Sequence, residues 1–258
     1  MGRLVSILDQ FRLDDRVAVV TGASSGLGAG FAMALAEAGA DVVLAARRQD
    51  RLAQVVEQVR SRGRRAIAVA TDVAQPEDCE AMAAAAVAEF GRIDVLVNNA
   101  GLGTAVPALR EAPQDFRRVL DVNLLGAYWA AQACARVMES GASIVNIAST
   151  LAFIAPSAPQ AAYAASKAGL VGLTRDLSAQ WAGRRGIRVN ALAPGYVATE
   201  MTAEVPTEML TGFIGSRSPL ARLGEQRELD AALIFLASPA SSYVTGSTLA
   251  VDGGMAGH

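Results

Sequence analysis

The sequence predicts an α/β fold: a three-layer doubly wound sheet of about seven mainly parallel strands, formed as a single domain from residues 1–258. Three observations predict it. Short β-branched runs alternate with longer helical stretches from the start of the chain. The strand runs are nearly continuously apolar, as a parallel sheet covered by helices on both faces requires. The length of 258 residues and the 52% apolar content suit one α/β domain with a large core.

The elements follow in order. VAVVT at 17–21 is the first strand, and an Ala-rich helix starts at Gly26. DVVLAA at 41–46 and a charged helix through Arg62 complete a βαβ unit. Then come AIAVAT, a helix from about Pro76 to Phe90, IDVLVN, and a long helix from about Pro113 to Glu139. SIVNIA, a helix through Tyr163, IRVNALAP and a last strand at about Ser247 to Val251 close the alternation. Pro194 to Pro219 breaks the rhythm, mixing turn residues with scattered apolar side chains; an excursion of this length is expected to act as a substrate lid, at about 195–219. No repeat and no linker divides the chain.

Composition excludes several function classes. The chain carries 23 basic and 25 acidic residues for a net charge of −2, without a dense basic cluster, so no nucleic-acid partner is expected. The apolar run Leu4 to Leu8 is short and no stretch reaches about 18 apolar residues, so neither a signal peptide nor a membrane span is expected. Cys79 and Cys134 lie far apart in helical stretches and read as buried thiols more readily than as a disulfide, which fits a cytoplasmic location. His258 is the sole histidine, which argues against a His triad, a His base and a His-bound metal; no metal site is expected.

The first strand runs into TGASSGLG, residues 21–28. Gly22, Gly26 and Gly28, with Ser24, Ser25 and Leu27 between them, let the backbone approach a pyrophosphate at a helix N-terminus, although close helix packing also selects glycine. The second strand ends in Ala46 followed by Arg47 and Arg48. A carboxylate there would repel a 2′-phosphate, whereas guanidinium offers it a planar fork of donors, so NADP(H) is favoured over NAD(H). The two arginines could equally begin a solvated helix. Tyr163 and Lys167, four apart on a predicted helix, share one face, and an ammonium beside a phenol lowers the phenol's pKa.

From TGASSGLG onward the chain resembles the classical short-chain dehydrogenase/reductase family almost from end to end. NNAG at 98–101, YAASK at 163–167, PGYVAT at 194–199 and the closing TGSTLAVDGG carry the resemblance in the right order. It implies a Rossmann-type fold, a nicotinamide cofactor, and a carbonyl or alcohol as small-molecule substrate. It implies that Tyr163 exchanges the proton with the substrate oxygen, that Lys167 also holds the nicotinamide ribose, and that Ser149 orients the substrate. Ser149 lies one residue further from Tyr163 than the family's usual spacing and Thr150 stands at the usual offset; NIAS favours Ser149. Asn123 in DVNLLG is implied to distort the helix and anchor a relay water, with a plain buried hydrogen bond as the alternative. The cofactor's nicotinamide end is implied to meet Asn99, Pro194, Gly195, Val197 and Thr199, and its adenine end Asp72 and Val73; Ala100 and Gly101 of NNAG are further cofactor-binding candidates. A homo-oligomer, a tetramer above all, is also implied; the Ala-rich segment 124–137 could face a partner or the core.

Substrate identity is the weakest reading. Tyr196, Met201, Met209, Leu210 and Phe213 in the lid, with Leu151, Phe153 and Ile154, could form an apolar pocket for a hydrophobic ketone, or simply pack on the body. Phe153 and Tyr196 join Ser149 and Tyr163 as substrate-binding candidates. An NADPH-dependent ketone reductase leads, a sugar or polyol dehydrogenase of gluconate 5-dehydrogenase type is the alternative, and a catalytically silent cofactor-sensing protein is the reading from another class. A purely structural role would need no cofactor at all.

Overall fold

Val17–Thr21 (β1) is buried at every position, because its β-branched residues are covered on both faces. In the computed structural model, which describes residues 6–156, 158–198 and 207–257 with the side chains of 207–211 set aside, this strand lies inside a sheet of seven parallel strands. They are β1, β2 (Asp41–Ala46), β3 (Ala66–Ala70), β4 (Val95–Asn98), β5 (Ser143–Ile147), β6 (Arg188–Pro194) and β7 (Thr248–Val251), in the spatial order β3-β2-β1-β4-β5-β6-β7. Every neighbouring pair is parallel, Val17 facing Asp41 and Ala18 facing Val95. The order reverses between β1 and β4, and at such a switch point the carboxyl ends of the strands open a crevice for ligands.

Alternate strand residues feed two cores. Ala18, Val20, Val42 and Leu44 meet Phe31 and Leu35 of α1 (Gly26–Glu37), Leu52 of α2 (Gln49–Arg60) and Leu229 and Leu233 of α8 (Gln226–Ala237). Val17, Val19, Val43 and Ile144 meet Met82 of α3 (Pro76–Phe90), Ala130 and Cys134 of α5 (Gly126–Val137) and Leu177 of α6 (Ala161–Arg185). Each such fully buried large side chain contributes about 1.5–3 kcal/mol of transfer free energy. The edge strand β3 is less covered: after the buried Ala66, half-buried Ile67 and Val69 alternate with exposed Ala68 and Ala70.

Three boundaries differ from the sequence reading. The charged helix ends at Arg60 rather than Arg62, where Ser61 and Gly63 turn the chain. The long helix expected from Pro113 to Glu139 is three pieces: α4 (Pro113–Leu120), a π-helical turn at Asp121–Leu125, and α5, which stops at Val137 as Met138 becomes extended. The excursion after Pro194 contains a helix, α7 (Thr207–Arg217). A further helix, α8, went unread. It starts on a capping box in which Glu225 and Glu228 accept from each other's backbone N–H, and it buries Leu229, Leu233 and Leu236. Its last carbonyls are held by the buried Arg188 guanidinium, which donates to Leu236 O at 3.0 Å and Ser238 O at 3.1 Å. A cation there complements the helix C-terminus.

Among the described residues no helix is long and apolar enough to cross a membrane, and no group of three potential ligands could hold a metal ion. Cys79 and Cys134 are buried free thiols, as read; burial pushes the Cys79 thiol up to about 12. Thr199 and Met201 lie outside the described residues.

Candidate active site

The carboxyl edge of the sheet gathers the predicted residues. β5 ends by delivering Ser149, whose hydroxyl accepts from Leu151 N at 3.1 Å and starts a single 3-10 turn over Thr150–Ala152. The Ser149 hydroxyl lies near the Tyr163 phenol, in the first turn of α6, and favours its ionised form. Thr150, the competing candidate, is turned away and donates to Asp252 Oδ2 at 3.1 Å.

One helical turn on, Lys167 is 4% exposed. Its ammonium donates to Ile147 O at 2.7 Å and stands 5.5 Å from the centre of the Tyr163 ring. Burial lowers its pKa from 10.5 to about 8. Burial raises Tyr163 above its ordinary value, the Ser149 hydroxyl opposes that rise, and Tyr196 adds to it.

Asn123 sits in the π-helical turn, 1% exposed. The widened turn is the helix distortion that the sequence suggested, and such bulges occur frequently at functional sites. Its Oδ1 accepts from Leu102 N at 2.8 Å, and its Nδ2 donates to Leu102 O at 2.9 Å and to Ser166 Oγ at 3.0 Å. Ser166 in turn donates to the Tyr163 carbonyl at 2.7 Å. Asn123 thus clamps the loop after NNAG onto the helix that carries Tyr163. A Cβ added to Gly101 would lie 3.4 Å from Asn123 Oδ1 and 3.7 Å from Lys167 Nζ, and one on Gly103 3.4 Å from the Tyr163 ring. Ser166 and Gly103 were missed by sequence reasoning; Ser166 lies within YAASK itself, three residues after the tyrosine, and could have been found there.

The phosphate-binding turn lies across the switch point. A Cβ on Gly22 would meet Ala100 Cα at 2.7 Å and one on Gly28 would meet Gly22 O at 2.4 Å, so both glycines admit the chain's own backbone. Asn99 donates to Thr21 O at 3.0 Å and Gly22 O at 3.3 Å, and Thr21 Oγ1 accepts from Asn99 N and Ala100 N. Gly26 differs: its φ is +54° and a Cβ there would meet no atom within 4 Å. Ser25 precedes α1 without a side-chain cap, so the first-turn N–H groups face open space. Arg48 donates to Ser24 Oγ at 3.0 Å and to Ser25 Oγ at 2.7 Å, while Arg47 is exposed and makes no hydrogen bond or ion pair with the described residues. An uncapped helix start, an open glycine and a guanidinium beside it fit a dinucleotide's pyrophosphate and a neighbouring phosphate.

The other candidates spread outward. Asp72 accepts from Ala74 N at 3.1 Å, turning the chain toward α3, and Val73 is buried against α5. Leu27 packs on the core. Pro194 ends β6, and Gly195 donates to Val251 O at 3.0 Å. Val197 is 4% exposed, packs into the core and bridges to Gly224 through its backbone. Tyr196 stacks edge-on against Phe213 of α7, ring centres 5.6 Å apart, and both pack with Ile154, Ile214 and Met255. The described apolar residues of the excursion therefore cover the body, while Phe153 is 48% exposed.

A switch-point crevice with an open phosphate turn, beside a buried Ser–Tyr–Lys cluster, defines a nicotinamide-dependent dehydrogenase class. Comparisons with known proteins agree. A family model described as enoyl-(acyl carrier protein) reductase matches residues 22–256. Galactitol 2-dehydrogenase (L-tagatose-forming) from Cereibacter sphaeroides is 44% identical over 252 residues, covering 95% of this chain and 96% of that protein. The 2-dehydro-3-deoxy-D-gluconate 5-dehydrogenase of Escherichia coli is 41% identical over 256 residues, covering 96% and 98%. A crystal structure of a gluconate 5-dehydrogenase from Burkholderia cenocepacia, in complex with NADP and tartrate, superposes with a TM-score of 0.92 at 39% identity, covering 98% and 100%. The chain belongs to the short-chain dehydrogenase/reductase family: it is an NAD(P)-dependent oxidoreductase acting on CH–OH donors or ketones.

Proposed function

We propose that this protein is an NADPH-dependent ketone reductase in which Tyr163 is the proton donor. The observation that carries the reading is the Ser149 hydroxyl beside the buried Tyr163 phenol, with Lys167 buried one turn away and held by Ile147 O. Burial keeps the phenol protonated at neutral pH, which is the form a reduction consumes. Tyr163 gives its proton to the carbonyl oxygen as that oxygen gains charge, and the Ser149 hydroxyl donates a hydrogen bond to the same atom. The Lys167 ammonium favours the phenolate left behind, and Asn123 holds the loop that closes over it. The nicotinamide, when bound, supplies the hydride to the carbonyl carbon, and residues of the Gly22–Gly28 turn, Asn99, Lys167 and the Pro194–Gly195 turn would hold the cofactor.

NADPH is preferred over NADH in this reading because Arg48 lies on the phosphate turn and the exposed Arg47 directly precedes it in the chain. Two free thiols suit a reducing cytoplasm. An open apolar groove on α4 and the π-helical turn, lined by Phe116, Leu120, Leu124 and Leu125, suits assembly into a homotetramer. The exposed ring of Phe153, four residues after Ser149, favours a hydrophobic ketone. A second reading, a sugar or polyol dehydrogenase, is favoured by the names of the relatives above.

Nicotinamide absorbance separates these readings, with NADPH and NADH each tested against aliphatic and aromatic ketones, ketoacids, ketosugars and quinones. Turnover of a hydrophobic ketone with NADPH at least about tenfold more efficient than NADH is expected. Efficient turnover confined to ketosugars or sugar acids would install the second reading, and cofactor binding without turnover would reject both.

A further inference from the structure

Asp252 follows β7 within the closing TGSTLAVDGG, far in sequence from Ser149, Tyr163 and Lys167, yet three parts of the site converge on it. Its Oδ2 accepts from Thr150 Oγ1 at 3.1 Å and from Ala256 N at 2.7 Å, and its Oδ1 accepts from Gly254 N at 2.9 Å. The carboxylate is therefore fixed by its own turn before it reaches Thr150. Thr150 is 1% exposed and directly follows Ser149, and its carbonyl accepts from Phe153 N and Ile154 N. The strand end before it is pinned by Ala148 N donating to Leu192 O at 2.8 Å. On the other side, a Cβ on Gly195 would lie 2.7 Å from Asp252 Cα, so the Pro194–Gly195 turn rests directly on this residue. The same turn holds the end of α7's segment, Ser218 Oγ and Leu220 N both donating to Gly253 O at 3.0 and 3.2 Å.

We propose that Asp252 and Thr150 are positioning residues for the reaction, an inference that rests on the Ser149–Tyr163 reading above. The carboxylate locks the Thr150 side chain, which sets the backbone that aims the Ser149 hydroxyl at the phenol. The same residue supports the turn proposed to hold the cofactor, so it fixes the spacing between the proton donor and the hydride. Effective geometry in such reactions is demanding, and a displacement of about 1 Å can cost about a hundredfold in rate. A buried hydroxyl that merely found an acceptor would contribute to stability alone.

Thr150→Val removes the donor at nearly constant shape, Thr150→Ser keeps it, and Asp252→Asn removes at least one of the acceptors that the three donors share. Each is assayed with NADPH and the panel ketone of highest turnover, with Tyr163→Phe as control. Thr150→Val and Asp252→Asn are expected to lower kcat on the order of tenfold with the NADPH KM within about twofold, Thr150→Ser to restore kcat, and the double variant to be no slower than the slower single. Thr150→Val with a lower Tm but unchanged kcat, while Tyr163→Phe is inactive, would overturn this inference alone. Undiminished turnover by Tyr163→Phe would overturn the reading beneath it as well.

Discussion

Lys167 donates to the Ile147 carbonyl from a buried position, and loss of solvent lowers its pKa from 10.5 to about 8. Two opposite pH dependences follow. Between about 8 and 10.5 the folded protein holds a neutral amine while the unfolded chain still binds the proton, so the unfolded state carries more protons and stability from this group rises with pH through that window. The ammonium that favours the phenolate is lost over the same rise, so kcat for reduction is expected to fall with an apparent pKa near 8. A pH–rate profile checks this. Lys167→Met is expected to remove the step near 8 from what activity survives, and a wild-type profile flat through 9 would contradict the assignment. Burial raises Tyr163 above its ordinary value, so the phenol gives up its proton at higher pH than the lysine does.

At the scale of elements, the α4–π–α5 segment shows how a helix is bent to serve a loop. The π-helical turn brings Asn123 inward, where both backbone groups of Leu102 end on its amide. Asn123→Ala would leave those groups and Ser166 Oγ short of partners in a buried place. A loss of about 1–3 kcal/mol in urea unfolding is expected, together with reduced turnover; unchanged stability would show that the loop finds other partners. Only part of this was legible in the sequence. The misplaced asparagine in a helical pattern pointed to something unusual, but Asp121–Leu125 keeps a helical periodicity and nothing in it announces a widened turn. The strands read well because Val17–Thr21 and Asp41–Ala46 are apolar, β-branched and bounded by turn residues. α8 was readable too, from Leu229, Leu233 and Leu236 at helical spacing after Gly224, yet the irregular stretch before it obscured its start.

At the scale of the whole molecule, parallel strands bring every motif to one edge, so motifs scattered over most of the chain become neighbours. That convergence was legible, because the motifs lie at strand ends and the alternation of elements dictates the sheet. Contacts between those ends were not. The Thr150–Asp252 bond joins residues 102 positions apart, and Arg48 rather than Arg47 reaching the phosphate turn depends on side-chain directions that spacing does not encode. Nor did the Tyr–Lys spacing reveal that the lysine would be held by Ile147.

The central claim is that the Tyr163 hydroxyl delivers the proton, and removing that one oxygen tests it most directly. Turnover and NADPH affinity are measured on the same preparation of Tyr163→Phe. We expect kcat to fall by at least about a hundredfold, the lower range for a lost general acid, with NADPH affinity within about twofold of the wild type. Turnover within a few-fold of the wild type would contradict the account and move the proton donor elsewhere.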